Sequence, residues 1–216
     1  VRYWPHIKNP RSFSEKIQHR KFYNYDDKLS LVEDKYKVRN YVDERADDIL
    51  PELYHVTDDP ETIPFDELPE KFVVKANHGS GWNIIVQNKK EADFENIKQK
   101  CKEWLNKRYG QAKYEYWYDE IEPNIIVEEV IESSQELPKD YKFFVFNGKV
   151  EYIQADYGRG TDNHTRTMYD KNWNPQDFEL KYPRGPNGEE PPNLEKMVEI
   201  AEKLGKDFDF IRVDLY

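Results

Sequence analysis

Short runs of β-branched and aromatic residues, separated by glycine-rich loops, restrict the fold of this chain more than any other feature. The run Phe72–Ala76 is followed by the loop Asn77–Gly81 and then by a second run, Asn83–Val86. Short runs of this kind, bounded by glycine and polar residues, are typical of β-strands. The segment is therefore predicted to form a strand, a glycine-rich loop and a second strand.

A hairpin is predicted around Asn147-Gly148. The flanking segments Tyr141–Phe146 and Lys149–Ile153 are rich in strand-forming residues, and Asn-Gly favours a tight turn because both residues tolerate positive φ. Further strands are predicted at Leu53–Val56, Asn124–Ile131, Thr165–Tyr169 and Phe210–Tyr216.

Helices are predicted from capping residues and from apolar residues at helical spacing. The patterns Ser12-x-x-Glu15 and Ser30-x-x-Glu33 are capping boxes, each predicted to start a helix. Residues 91–108 are polar with apolar residues at helical spacing, which predicts an amphipathic helix. Asn193 is predicted to cap a last helix that ends at Gly205.

The composition indicates a folded chain without a nucleic-acid partner. Of 216 residues, 35% are charged, and 33 Lys and Arg against 43 Asp and Glu give a net charge of −10. Disordered chains are also highly charged, but they are poor in aromatic residues, whereas this chain has 16 Tyr, 11 Phe and 5 Trp. Nucleic-acid binding requires a basic face, which an acidic total disfavours.

The sequence also favours a cytoplasmic location. No apolar stretch approaches the roughly 20 residues that span a bilayer. Residues 1–10 lack the apolar region of a secretory signal, and the single Cys101 cannot form an internal disulfide. We expect a reducing compartment, no membrane span and no chemistry from Cys101.

Lys75 and the glycines that follow it suit phosphate binding. Glycines allow backbone N–H groups to approach phosphate oxygens, and a lysine on a rigid strand neutralises their charge. Gly79-Ser80-Gly81 provides this pattern six residues or fewer after the lysine. Taken alone, an ordinary hairpin connection explains the pattern better.

Two further segments place charged residues at strand positions. Glu128 and Glu129 lie near the end of a predicted strand, where carboxylates can contact an adenine amino group and ribose hydroxyls. A solvated acidic strand end is the simpler interpretation. In the last strand, alternation places Arg212 and Asp214 on one face, away from Val213, and a surface ion pair explains this equally well.

In their order along the chain, these segments resemble the ATP-grasp superfamily and, within it, the TupA-like ATP-grasp family linked to teichuronic acid and other bacterial surface polysaccharides. The resemblance covers nearly the whole chain. It rests on Asn9-Pro10, Phe13–Lys16, Asp34-Lys35-Tyr36, Val38-Arg39, Lys75–Gly81, Asp140–Phe144 and Arg212–Tyr216.

The resemblance implies an α+β fold of the ATP-grasp type, in which two lobes with antiparallel sheets clamp the nucleotide. Residues 1–70 would form a helical segment and connector. Residues 71–131 would form the nucleotide-binding lobe with its glycine-rich lid, and 132–216 an incomplete C-terminal catalytic lobe.

The resemblance also implies which residues bind ATP. Lys35 and Lys75 would hold the α- and β-phosphates, and Gly79, Ser80 and Gly81 would cover the β- and γ-phosphates. Adenine would meet the strand at Glu128, Glu129, Val130 and Ile131. Asp140 would bind the ribose hydroxyls.

By the same resemblance, the catalytic residues would be Lys142 and Arg212, near the γ-phosphate, and Asp214 would bind Mg²⁺. Fixed cations and a metal ion would offset the charge that develops on the transferred phosphoryl group. Family members continue into a further strand with a metal-binding glutamate, whereas this sequence stops at Tyr216. We therefore expect a fragment, in preference to a partner that completes the site or a loss of ATP turnover.

The implied function is an ATP- and Mg²⁺-dependent ligase that joins a carboxylate to an amine through an acyl phosphate. A sugar acid or glycan carboxylate and an amino acid are the expected substrates, on family association alone. The oligomeric state stays open between a monomer and a homo-oligomer. An ATP-dependent carbohydrate kinase is an alternative that the same nucleotide site would serve.

A non-catalytic glycan-binding module is an alternative from another class. It is suggested by five aromatic residues, Tyr109, Tyr114, Tyr116, Trp117 and Tyr118, since flat rings suit sugar faces. A loop packed on the core is the simpler interpretation of these residues.

A metal hydrolase is disfavoured because its candidate ligands lack ligand spacing. These candidates are His78, Asp156, Asp162 and His164, and His78 already belongs to the loop that covers the phosphates. The roles of Arg39, His78, His164 and Arg166 stay open.

Overall fold

The structure is a computed structural model that describes residues 4–23, 26–131 and 140–216. The chain divides into two compact units, the first formed by Val1–Tyr41 and Leu50–Val130 and the second by Val42–Ile49 and Ile131–Tyr216. The division into 1–70, 71–131 and 132–216 stays a prediction, and residues 132–139 of its last part lie outside the described residues.

The described residues contain five helices, eight strands and four short 3-10 helices. The α-helices are α1 (Phe13–Tyr23), α2 (Lys28–Glu33), α3 (Val38–Asp43), α4 (Phe94–Leu105) and α5 (Leu194–Gly205). The strands are β1 (Leu53–Thr57), β2 (Phe72–Ala76), β3 (Asn83–Val86), β4 (Ile125–Glu128), β5 (Tyr141–Phe146), β6 (Lys149–Tyr157), β7 (Thr165–Tyr169) and β8 (Phe210–Leu215). The 3-10 helices are Pro60–Thr62, Lys89–Glu91, Gly110–Lys113 and Tyr116–Glu120. Among these described helices, none is both long and apolar enough to cross a membrane.

The first unit is built on a four-stranded sheet with the order β1-β4-β2-β3, in which every neighbouring pair is antiparallel. Successive side chains of a strand point to opposite faces. One face packs with α4 into a core that includes Phe72, Val74, Ala76, Ile97, Cys101, Trp104, Ile125 and Val127. The other face of β2 and β4 carries Lys75 and Glu128.

The predicted strand, loop and second strand between Phe72 and Val86 are confirmed. β2 and β3 pair antiparallel, and residues 77–82 connect them. Gly81 adopts φ +79°, a conformation that favours glycine. A Cβ at Gly79 would lie 2.5 Å from the Trp82 side chain, so this position accepts only glycine without rearrangement.

The second unit is built on a sheet with the order β7-β6-β5-β8, again fully antiparallel. One face packs against α5 in a core that includes Phe143, Val145, Val150, Ile153, Ala155, Tyr169, Leu194, Met197 and Ala201. Each large apolar side chain buried in this way contributes roughly 1.5–3 kcal/mol. These two sheets with their helices confirm the predicted α+β class.

The Asn147-Gly148 turn is confirmed. Asn147 has φ +47° and Gly148 has φ +75°, as a tight hairpin turn requires. The turn pairs Phe146 with Lys149, and a β-bulge between Phe144 and Val145 then shifts the register so that Lys142 of β5 faces Gln154 of β6. On its other side Lys142 faces Asp214 of β8, so the face opposite α5 carries a polar row.

The predicted caps are right for one helix and wrong for two. The Glu15 amide donates to Ser12 Oγ at 3.3 Å and the Ser12 amide donates to the Glu15 carboxylate at 3.0 Å, which confirms the first capping box. Ser30 lies inside α2, where its hydroxyl donates to the Asp27 carbonyl, so the second box is wrong. The helix from Leu194 to Gly205 is confirmed, but the Asn193 side chain makes no capping hydrogen bond.

Candidate functional site

A buried carboxylate connects two cations on the polar face of the first sheet. The Lys75 ammonium donates to Glu128 Oε1, and Arg39 Nη1 lies 3.6 Å from Glu128 Oε2. The Glu128 side chain is 7% exposed. Lys75 and Glu128 meet because Val73 pairs with Glu128 in the β2–β4 ladder, which makes Lys75 its diagonal neighbour.

Lys35 is anchored to the glycine-rich loop. Its ammonium donates to the carbonyl oxygens of Ala76 at 3.2 Å, Asn77 at 3.5 Å and Gly79. Burial, with a smaller contribution from the Lys75 charge, lowers the pKa of Lys35 to about 8. Lys35, Arg39, Lys75 and Glu128 form what we call the Lys75 cluster.

Asn77 joins the segments that surround the loop. Its side-chain amide donates to Asp34 Oδ1 and to the Glu122 carbonyl, both at 2.9 Å, while its Oδ1 accepts from the Asn124 amide at 2.7 Å. Asp34 Oδ1 also accepts from the Tyr36 amide at 2.9 Å, next to the start of α3. This network fixes where Lys35 enters the cluster.

His78 belongs to the interior and is not an exposed part of the loop. It is 3% exposed, with Nδ1 3.0 Å from Asn77 Oδ1 and Nε2 3.0 Å from the Trp104 carbonyl oxygen. Burial lowers the pKa of His78, although the Trp104 carbonyl opposes this shift. His78 therefore lies in the connection between β2 and β3 with its ring in the interior, and its relation to the phosphates stays a prediction. Ser80 and Gly81 are exposed and Gly79 is buried.

The strand implied to contact adenine is shorter than predicted. β4 ends at Glu128, so Glu129, Val130 and Ile131 follow the strand and are not part of it. The Glu129 amide donates to the Glu52 carbonyl at 2.9 Å, and its carboxylate accepts from the Glu52 amide at 3.2 Å. Glu129 thus fixes the chain beside β1.

A second cluster of charges lies on the polar face of the second sheet. The Lys142 ammonium donates to Asp140 Oδ2 and lies 3.2 Å from Asp214 Oδ2. Arg212 donates to both oxygens of Asp214, at 2.6 and 2.9 Å. The predicted placement of Arg212 and Asp214 on one face is confirmed. We call Asp140, Lys142, Arg212 and Asp214 the Lys142 cluster.

Arg159 is a member of this site that the sequence analysis did not select. Its guanidinium donates to Asp140 Oδ2 at 2.5 Å and its side chain is 49% exposed. Gly158 and Gly160, on either side, both have positive φ. The sequence Gly158-Arg159-Gly160, a charged residue between two glycines, is the pattern that could have indicated Arg159. Asp140 Oδ1 is buried and has no hydrogen-bond partner among the described residues.

The Lys142 cluster offers one partly exposed carboxylate, Asp214, as a candidate ligand for a magnesium ion. Mg²⁺ commonly takes one or two carboxylates together with substrate phosphates and water. The Asp214 side chain is 32% exposed and already balances two cations. Within 4–23, 26–131 and 140–216, no group of three or more His, Cys, Asp or Glu side chains is arranged to hold a metal ion.

The aromatic residues of the first unit are divided between the interior and the surface. Trp117 and Tyr118 are buried, and the Tyr118 hydroxyl donates to Glu33. Tyr114 and Tyr116 are 53% and 45% exposed. The five predicted aromatic residues therefore do not form one exposed surface, because Trp117 and Tyr118 belong to the interior.

The two clusters share one chemical property. Each places at least one lysine on a sheet and an arginine near it, next to a carboxylate that contacts both cations. Such preorganised cations can bind phosphate oxygens without the cost of collecting the charges at the moment of binding. The first cluster adds a glycine-rich loop, and the second adds an exposed carboxylate.

A family model described as TupA-like ATPgrasp matches residues 15–216. No curated protein matches the chain significantly. Among solved structures, the ATP-grasp ligase PsnB complexed with minimal precursor is 10% identical with a TM-score of 0.45, and the match covers 87% of this chain and 48% of PsnB. The D-alanine–D-alanine ligase of Bacillus anthracis complexed with ATP is 17% identical with a TM-score of 0.47, over 86% of this chain and 51% of the ligase. The chain spans about half the length of these solved proteins.

Proposed function

Because the chain belongs to the TupA-like ATP-grasp family, we propose that it binds ATP and takes part in the ligation of a carboxylate to an amine. The observation that carries the proposal is the Lys75 cluster. It combines a lysine on a rigid strand, an adjacent glycine-rich loop and a second lysine whose ammonium lies on the carbonyl groups of that loop.

In this proposal Lys75 binds the α- and β-phosphates, and Lys35 contributes charge while it holds the loop. Gly79, Ser80 and Gly81 offer backbone N–H groups to the β- and γ-phosphates, which a loop of small residues allows. Glu128 and the chain that follows it to Ile131 contact the adenine. Asp140 binds the ribose hydroxyls.

The Lys142 cluster supports phosphoryl transfer in the proposal. Lys142 and Arg212 stabilise the charge that develops on the γ-phosphoryl group. Asp214 would hold Mg²⁺, which when bound supplies additional positive charge to the phosphates. Glu128 and Asp214 keep their neighbouring cations oriented before the nucleotide binds.

The proposed reaction has two steps. A carboxylate oxygen of the acceptor bonds to the γ-phosphorus as the bond to the β-phosphate oxygen breaks, which gives an acyl phosphate and ADP. The amine nitrogen then bonds to the acyl carbon as inorganic phosphate leaves, and the amine loses a proton. We propose a sugar acid as the carboxylate, an amino acid as the amine and polysaccharide biosynthesis as the setting, all on family association alone. A cytoplasmic location is part of the proposal on the separate ground of the single cysteine.

Thermal unfolding with and without Mg-ADP tests the nucleotide site. At a ligand concentration about 100 times the dissociation constant, binding adds roughly 2.7 kcal/mol, which is several degrees in Tm at this size. Lys75→Ala should abolish the ligand-induced shift, whatever its effect on the Tm without ligand. Lys100→Ala, an exposed lysine on α4, is the matched control and should keep the shift.

An unchanged shift in Lys75→Ala would contradict the assignment of this lysine to the phosphates. No shift in a folded wild-type sample would contradict ATP binding by this chain. Once an acceptor is found, product analysis decides the reaction, since an amide supports the ligase and a phosphate ester supports the kinase alternative.

A further inference from the structure

Asp156 of β6 organises a group of side chains that the proposed function does not use. Its carboxylate accepts from Arg166 Nε at 2.7 Å, His164 Nε2 at 3.0 Å and Gln154 Nε2 at 2.7 Å. Arg166 lies opposite Asp156 in the β6–β7 ladder. We call Asp156, His164, Arg166 and Tyr182 the Asp156 cluster.

The cluster is held by several side-chain contacts and is mostly buried. The Asp156 side chain is 2% exposed and that of Arg166 is 10% exposed. His164 stacks on Tyr182 with ring centroids 3.8 Å apart, and the Arg166 guanidinium carbon lies 4.9 Å from the same ring. Arg166 Nη1 also donates to the Leu180 carbonyl at 3.0 Å. An ordinary surface ion pair does not require this degree of support.

Asp156 is ionised in this environment. Burial favours its neutral form, but the hydrogen bonds from Arg166, His164 and Gln154 outweigh burial and lower the pKa of Asp156. The carboxylate therefore fixes its two neighbours at defined atoms. Among the described residues, the hydrogen bonds of Arg166 use Nε and Nη1, and that of His164 uses Nε2. The same residues show no hydrogen bond of Arg166 Nη2 or His164 Nδ1 to any other described residue.

The cluster shares a sheet face with the Lys142 cluster. Lys142 faces Gln154 across the β5–β6 ladder, and Asp156 lies two positions further along the same strand, on the same face. Arg166 continues this face on β7. With strands about 4.8 Å apart and residues about 3.3 Å apart along a strand, Arg166 lies roughly 12 Å from Lys142 between Cα atoms.

We propose that the Asp156 cluster binds an oxyanion of the acceptor, a carboxylate or a phosphate monoester, distinct from the carboxylate that reacts. The proposal rests on the proposed function, since it places this acceptor on the face that carries Lys142. Arg166 Nη2 donates to the oxyanion, and the planar guanidinium suits both chemistries. The separation from Lys142 requires an acceptor about as long as a sugar residue with its substituents.

The test is a titration followed through the ring resonances of histidine. The chain has five histidines, and His164→Gln identifies the His164 signal. The probes are D-glucuronate for a carboxylate, D-glucose 6-phosphate for a phosphate monoester and neutral D-glucose as the control. We expect one or both charged probes, but not glucose, to shift the His164 signal in a saturable way. The probe that binds more tightly identifies the oxyanion.

Arg166→Gln should raise the dissociation constant of the bound probe about tenfold or more, the loss expected for one charge-assisted hydrogen bond. Arg184→Gln is the matched control, because Arg184 belongs to the same unit and pairs with the exposed Asp177 at 3.0 Å. It should leave the dissociation constant unchanged. Equal shifts with glucose, no shift with either anion, or an unchanged dissociation constant in Arg166→Gln would overturn the proposal.

Failure of this inference is distinguishable from failure of the proposed function. The Mg-ADP shift in Tm is measured on the same wild-type and Arg166→Gln samples. Loss of anion binding with an intact Mg-ADP shift supports a separate acceptor subsite. If Arg166→Gln loses both anion binding and the Mg-ADP shift while its Tm without ligand is unchanged, the subsite proposal is overturned, because Arg166 would then belong to the nucleotide site. Anion binding in a wild-type chain that shows no Mg-ADP shift removes the ligase proposal and leaves the oxyanion subsite.

Discussion

Glu128 is the residue that holds the Lys75 cluster together. It is nearly buried and balances two cations, Lys75 and Arg39. Glu128→Gln leaves both cations without their carboxylate, and breaking a buried ion pair from one side costs about 3 kcal/mol. We expect this decrease in the unfolding free energy measured by urea denaturation.

The matched control for Glu128 is an exposed glutamate with two lysine partners. Glu61 contacts Lys98 at 3.1 Å and Lys102 at 2.6 Å, and its side chain is 49% exposed. Solvent screens such pairs, so Glu61→Gln should change stability little. Equal effects of the two substitutions would show that the burial of Glu128 has no energetic consequence.

Lys35 should make the stability depend on pH in the alkaline range. Burial lowers the pKa of Lys35 from 10.5 to about 8 in the folded chain. Between these values the unfolded chain binds more protons, so the contribution of Lys35 to stability rises with pH. The stability of wild type relative to Lys35→Met should increase by up to about 3 kcal/mol from pH 8 to 10.5.

Lys35→Arg is the control for this titration. Arginine stays charged throughout the range, so its stability relative to Lys35→Met should not rise between pH 8 and 10.5. Urea denaturation at several pH values gives all three curves. If the unfolding free energies of wild type and Lys35→Arg changed with pH in parallel, the lowered pKa of Lys35 would be contradicted.

At the scale of elements, the N-terminus of α1 depends on one carboxylate. Glu15 is 3% exposed and accepts hydrogen bonds from the backbone amides of His6 and Arg11 at 2.8 Å and Ser12 at 3.0 Å. These three bonds, from His6 first, lower the pKa of Glu15 to about 2. A carboxyl group with a lowered folded pKa stabilises the fold above its unfolded pKa.

The stabilisation by Glu15 should therefore be complete at pH 7 and disappear as the pH falls from about 4.5 towards 2. Glu15→Gln should lower the urea midpoint at pH 7, and its difference from wild type should narrow across this window. Ser12→Ala removes the other half of the capping box without removing a titratable group. The difference in urea midpoint between Ser12→Ala and wild type should stay constant across this pH window. A constant difference for Glu15→Gln would contradict the lowered pKa of Glu15.

The two Ser-x-x-Glu patterns show that this spacing does not always mark the first residue of a helix. The Ser12 box forms: the Ser12 hydroxyl accepts from the Glu15 amide, and the Glu15 carboxylate accepts from the Ser12 amide. The Ser30 pattern fails because α2 already begins at Lys28, and Ser30 lies inside it. Asp34 then takes the amides of Tyr36 and Lys37, at 2.9 and 3.2 Å. The serine spacing alone therefore does not specify the residue at which a helix begins.

At the scale of the whole molecule, Cys101 reports on the opening of the first core. The thiol is fully buried, and burial raises the pKa of Cys101 to about 12. Because the thiolate is the reactive form, labelling requires the core to open. Native Cys101 should react with a disulfide reagent at least about a thousandfold more slowly than in the urea-unfolded chain.

An exposed neighbour provides the reference rate. Lys100→Cys in a Cys101→Ser background places a thiol on the exposed side of α4 and should react rapidly in the native chain. Mg-ADP at about 100 times its dissociation constant should slow the labelling of Cys101 about a hundredfold and leave the reference unchanged. Rapid native labelling of Cys101 would contradict a closed core.

The sequence by itself determined the hairpin turn at Asn147-Gly148 and the faces of the last strand. Asn147-Gly148 requires positive φ, and the alternation of Arg212, Val213 and Asp214 assigns each side chain to a face, because both effects act within a few residues. The tertiary structure decided the contacts between distant segments. Glu128 reaches Lys75 only through the β2–β4 register, and Arg159 reaches Asp140 only when the loop after β6 folds back. Such pairs depend on register and loop path, which local periodicity does not encode.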